Sequence, residues 1–175
     1  MDHRIQKTKN SICNAFIELR SRKPLERITV KELCELAQIN KTTFYSHYVD
    51  IYDLSEQIEG DIVSTVIRNL NNFEDAIINP FEFVLKLSLE YTAQNALITT
   101  IFSGSRREQL PQKILTAIKE QVFAKYPEYA DSPDKDIMLT YAVYGGYYAY
   151  YESRKYDDST VVKIIGEISK KVVSW

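Results

Sequence analysis

The chain has 175 residues, 45% of them hydrophobic and 26% charged, with a formal net charge of −2. That is enough apolar material for one large domain or two small ones sharing a core, and it excludes a disordered chain. No run of about 18 apolar residues occurs, so nothing reads as a membrane span, and the polar start M-D-H-R-I-Q-K-T-K-N lacks a signal-peptide core, so a cytoplasmic protein is expected.

The charge is unevenly spread. Residues 1–48 carry nine Lys/Arg against five Asp/Glu, and the remainder carries thirteen against nineteen. A basic head on an acidic body points to a polyanion partner for the head alone. Cys13 and Cys34 each sit among apolar residues at helical spacing and read as buried, reduced thiols. His3 and His47 are the only histidines, so a metal site has no supporting ligands and no cofactor is expected.

Alternating strand-type runs are scarce, and an all-α fold is expected. The first helix is predicted from about His3 to Ser21, with Ile5, Ile12, Ala15, Phe16 and Leu19 on one stripe. Arg4, Lys7 and Lys9 crowd its first turns, either as a solvated face or because an outside anion favours them there. Pro24 stops that helix. Thr29 and Glu32 form a T-x-x-E capping box opening a second helix of about eight residues, which buries Val30, Leu33, Cys34 and Ala37. Gln38-Ile39 makes a turn, and Asn40 caps a third helix from Lys41 to about Tyr48. A long helix is predicted from Asp50 to about Asn72, with Ile51, Leu54, Ile58, Ile62, Val66 and Leu70 facing inward.

Asn79-Pro80 starts a further helix to about Thr92, followed by one over Ala96 to Phe102 that ends in Ser103-Gly104-Ser105-Arg106-Arg107, read as a turn with exposed cations. Another begins at Pro111 and stops at Tyr126-Pro127. In the last third, Ser132-Pro133 starts a helix in which Ile137, Tyr141, Tyr144, Tyr148 and Tyr151 recur at spacings of 4, 3, 4 and 3. After Asp157-Asp158 a final helix repeats the pattern with Val161, Ile165, Ile168, Val172 and Trp175. Both carry further apolar residues off the stripe, so one face is left for a second copy of the same pair. A homodimeric four-helix bundle with Tyr141, Tyr144, Tyr148, Tyr151, Ile165, Ile168 and Val172 in its seam is expected. Gly145-Gly146 weakens its helix and suggests a close backbone approach.

Two short helices and a tight turn braced by a first helix form a helix-turn-helix arrangement, whose second helix enters a major groove. Lys41, Thr42 and Thr43 occupy the positions that meet base edges, where lysine can donate to guanine and threonine can meet an edge or a thymine methyl. Tyr45 and His47 can donate to phosphates, as can the free backbone N–H groups at Thr29. The rival reading is a helical hairpin whose polar face only meets water; Thr, Ser, Tyr and His on that face argue against it.

The run I-T-V-K-E-L-C-E-L-A-Q-I-N-K-T-T-F-Y-S-H-Y-V-D-I-Y-D-L resembles the DNA-binding signature of the tetracycline-repressor (TetR/AcrR) family, and S-I-C-N-A-F-I-E-L resembles its first helix. The resemblance covers residues 4–58. It implies a helix-turn-helix head over residues 1–49 and a regulatory and dimerisation body over 50–175. It further implies a homodimeric regulator, usually a repressor, that leaves a palindromic operator when a small molecule enters the body. Its DNA contacts would fall on Thr29, Lys41, Thr42, Thr43, Tyr45 and His47. Gln38 and Thr42 stand where that family commonly has glycine, and Ile51 where it often has lysine.

An effector pocket lined by Phe73, Phe81, Phe83, Tyr91 and Phe102 is one expectation for the body. A coactivator of the same fold that binds another protein and lacks a small-molecule site is the alternative. No H-E-x-x-H, G-x-S-x-G or phosphate-cradling glycine loop is visible, so an enzyme is not expected.

Overall fold

The computed structural model describes residues 3–70 and 75–173. Among them every regular element is helical: α1 (His3–Arg22), α2 (Val30–Ala37), α3 (Lys41–Tyr45), α4 (Ile51–Asn69), α5 (Asp75–Ile78), α6 (Pro80–Ala93), α7 (Asn95–Ile101), α8 (Gln109–Lys125), α9 (Pro133–Glu152) and α10 (Asp158–Val173). The all-α class follows. None of these helices is long and apolar enough to cross a membrane.

Local chemistry sets the boundaries. At the start of α4, the Asp53 N–H donates to Asp50 Oδ1 and the Val49 N–H donates to Asp53 Oδ2, each at 2.8 Å, a two-way cap. Pro80 and Pro133 open α6 and α9. Pro111 is instead the third residue of α8, where its missing N–H costs no helical bond. The helix α3 ends at Tyr45 rather than near Tyr48, because the His47 and Tyr48 N–H groups converge on the Phe44 carbonyl at 2.9 and 3.0 Å. The expected end of the long helix near Asn72 lies outside the described residues, as does Phe73.

The chain packs as two compact units. The first comprises residues 1–62 and 95–108, the second 63–94 and 109–175. The boundary expected between residues 49 and 50 therefore does not coincide with the packing: the start of α4 and all of α7 belong with α1–α3. Two arginines explain this. Arg20 on α1 is 4% exposed and donates to the Ile101 carbonyl at 3.0 Å and to Ser103 Oγ at 2.7 Å, closing the C-terminus of α7. Arg106 donates from Nε and a terminal nitrogen to the two oxygens of Glu59, both at 2.7 Å, and also pairs with Glu56. Arg106 was expected as an exposed cation, but its side chain is 15% exposed because the fully buried Glu59 carboxylate draws it in. That carboxylate also holds the guanidinium more firmly protonated than usual. Burial pushes the Arg20 guanidinium the other way.

In the second unit α10 packs on α6 and α9, and α8 packs on α9. The closest approach is at Gly166, where an added Cβ would fall 2.7 Å from the Phe81 ring. Gly166→Ala is therefore expected to cost about 1–3 kcal/mol by overpacking. Urea unfolding checks this, and Phe81→Leu in the same chain is expected to recover part of the loss.

Candidate functional site

The segment from Thr29 to Tyr48 is held from its ends inward. Thr29 is extended, and its Oγ1 accepts the Glu32 N–H at 3.3 Å, fixing the first turn of α2. The Glu32 carboxylate takes the Lys23 ammonium, at 2.6 Å to Oε1, so the acid ties α2 to the end of α1. Gln38 ends α2 in the left-handed region, at φ 55° and ψ 44°. It is the only non-glycine residue with positive φ among those described. The Ile39 N–H then donates to the Cys34 carbonyl at 3.0 Å, which reverses the chain toward α3. A side chain in this conformation costs roughly 1–2 kcal/mol, which glycine avoids. Gln38→Gly is expected to raise stability by about 0.5–1 kcal/mol once the added freedom of the unfolded chain is counted, as a shift in the urea midpoint.

Asn40 caps α3. Its Oδ1 accepts the Thr43 N–H at 2.7 Å and the Thr43 hydroxyl at 2.9 Å. Thr43 is thereby half-buried and committed to the cap, which separates it from the other two residues expected at base edges. Lys41 and Thr42 are exposed, as is Tyr45, at 57%. Buried beneath them are Phe44 and Tyr48, with ring centroids 5.7 Å apart, and Tyr45 meets Phe44 edge-on at 5.4 Å. Tyr48 lies beside Cys13 of α1, and burial pushes both the hydroxyl and the thiol up and keeps them protonated. His47 is half-buried beside Tyr48, with ring centroids 6.3 Å apart.

Lys41, Thr42 and Tyr45 thus share one exposed surface of a short, anchored helix. Thr29 is exposed too, at the start of α2. Val49 and Tyr52, to which the sequence pattern gave no role, are exposed at the entrance to α4. That entrance is a poor place for an anion, because Asp50 and Asp53 already accept its N–H groups and carry negative charge.

Neither a protein-family model nor a curated protein matches the chain.

Phe102 is buried in the first unit, whereas Phe81, Phe83 and Tyr91 belong to the second. Phe81 lies against α10 at Gly166, Phe83 is buried, and Tyr91 meets Tyr150 edge-on at 5.7 Å.

The last two helices sort their apolar residues by face. Leu139, Val161, Val162 and Ile165 are buried within the second unit. Ile137, Tyr141, Tyr148, Ile164 and Ile168 are exposed, and Tyr144, Tyr151 and Val172 are half-buried. Ile165, expected in the seam, is instead committed to the chain's own packing beside Gly146, and Ile164 stands on the outward side.

Proposed function

We propose that the chain is a dimeric one-component transcriptional regulator, a repressor, that binds operator DNA through α2 and α3 and is released by a small-molecule effector. The observation that carries the reading is the exposed set Lys41, Thr42 and Tyr45 raised on the buried pair Phe44 and Tyr48. In this reading α3 enters the major groove, Lys41 and Thr42 meet base edges, and Tyr45 and His47 donate to phosphates. Thr43 acts chiefly through the Asn40 cap that sets the angle of Lys41 and Thr42. The N-terminus of α2 at Thr29 adds a further phosphate contact. The outward faces of α9 and α10 join two copies, so a two-fold operator is read by two identical heads. Phe81, Phe83 and Tyr91 remain together in one unit and are the side chains this reading keeps for the effector. No catalytic step is assigned, and the protein works in the cytoplasm.

A mobility-shift experiment with the DNA upstream of the protein's own gene tests the proposal. Wild type is expected to shift that DNA with an affinity that falls steeply with salt, and Tyr45→Phe with His47→Ala is expected to bind more weakly. Equal binding by the double variant sinks the phosphate assignment. No binding at low salt sinks the function.

A further inference from the structure

We propose that two copies of this chain cross at Gly145, with α9 running antiparallel to α9 of the partner subunit. This rests on the dimer reading above and adds its register.

The second unit has three glycines inside helices, and two are explained by its own packing. A Cβ on Gly166 would strike Phe81, and one on Gly146 would lie 3.5 Å from Ile165 Cγ2. Gly145 is exposed, and a Cβ there would meet nothing within 4 Å. Alanine would fit the isolated chain and favour the helix, so nothing inside the chain calls for glycine at this position. Gly60 on α4 is also open, but its exposed neighbours one turn away, Glu56, Gln57 and Ser64, are polar, and Val63 is buried. One turn either side of Gly145 stand Tyr141 and Tyr148, 63% and 41% exposed, with Ala149 exposed beside them. Residues 137–151 contain no charged side chain. A bare backbone at the middle of an exposed, uncharged stripe suits the close approach of another helix.

The occupant is a second copy, on two grounds. First, the face is complementary to itself when reversed. Helix α10 is acidic at its start, with Asp158 following Asp157, and basic in its last turn at Lys170 and Lys171. A two-fold axis across the face sets each acidic end toward a basic one. Second, the exposed parts of Ile137, Tyr141, Tyr148, Ile164 and Ile168 amount to about 1,000 Å² over two copies, the size at which a specific interface begins. A two-fold axis also requires the central residue to face its own counterpart. Gly145 lies next to the midpoint of the 137–151 stripe, so Tyr141 faces the partner's Ala149 one turn, about 6 Å, from the axis, with the partner's Tyr148 adjacent.

The test uses the full chain in two variants. Gly145→Cys under mild oxidation is expected to form a disulfide-linked dimer on a non-reducing gel, where wild type and Gly60→Cys do not. Gly145→Leu is expected to raise the dimer dissociation constant at least tenfold in sedimentation, with unchanged helical circular dichroism; leucine favours helix over glycine, so unfolding does not account for the loss. If wild type is dimeric, Gly145→Leu dimerises as tightly and Gly145→Cys does not cross-link, the crossing lies elsewhere and only the register is overturned. A wild-type monomer at micromolar concentration overturns the dimer reading and the register together.

Discussion

Arg106→Ala is expected to destabilise the protein by about 3–5 kcal/mol, because it removes the counter-charge from a carboxylate that water does not reach. Glu59 is fully buried, and with Arg106 removed the Ser55 hydroxyl, 2.8 Å away, remains a donor to Oε1. The loss is far larger than for an exposed pair such as Arg22 with Glu18, which contributes under about 1 kcal/mol. For a chain of this length it corresponds to a fall of roughly 10 °C in thermal midpoint. Removing both charges, as Glu59→Leu with Arg106→Met, is expected to recover most of the loss, since well-packed apolar groups replace buried pairs at little cost. Calorimetry on Glu59→Leu, Arg106→Met and the double variant gives the coupling directly. A loss below about 1 kcal/mol for Arg106→Ala would mean that water reaches Glu59 in solution. Arg20 belongs to the same cluster through its bonds to Ser103, so its variants should not add independently to those of Arg106.

That cluster shows where a sequence stops being readable. The inner face of α4 was legible because Ile51, Leu54, Ile58, Ile62, Val66 and Leu70 repeat at helical spacing, and all six are buried. Ser55 and Glu59 are buried on the same helix, yet as polar residues they read as surface. Their reason is Arg106, 47 positions along the chain from Glu59, and no local period reports a partner at that distance. Arg20, whose partner Ile101 is 81 positions away, was hidden in the same way. Helix α9 fails differently. It is apolar nearly all round, so its period identifies two faces without saying which is inner; Tyr141 and Tyr148 of the tyrosine stripe are exposed, and Tyr144 and Tyr151 are half-buried. In the candidate site, the caps at Thr29 and Asn40 were legible because capping is local chemistry. The diversion of Thr43 into the Asn40 cap was not, since a hydroxyl at that position serves a cap or a base edge equally well.

The second large effect is expected at Lys41, under the proposed function. Lys41→Ala should weaken operator binding by about 1–3 kcal/mol, roughly 5- to 150-fold, and the pattern of the loss identifies its role. If the ammonium reads a base, the variant tolerates substitution at one operator position in each half-site while its salt slope stays close to wild type. If it meets a phosphate, all sequences weaken alike and the slope of log K against log salt falls by about 1 for each head. The exposed position of Lys41 in the first turn of α3 favours the base, because the first residues of that helix lie deepest in a groove. Tyr45, one turn further on and capable of only one donated bond, supplies the contrast: Tyr45→Phe should weaken every sequence equally. The two substitutions leave Phe44 and Tyr48 in place, so folding stability is expected to stay within about 0.5 kcal/mol of wild type, as for other surface changes. Full-affinity binding by Lys41→Ala at physiological salt would remove α3 from the groove and leave the exposed face of this helix without a nucleic-acid role.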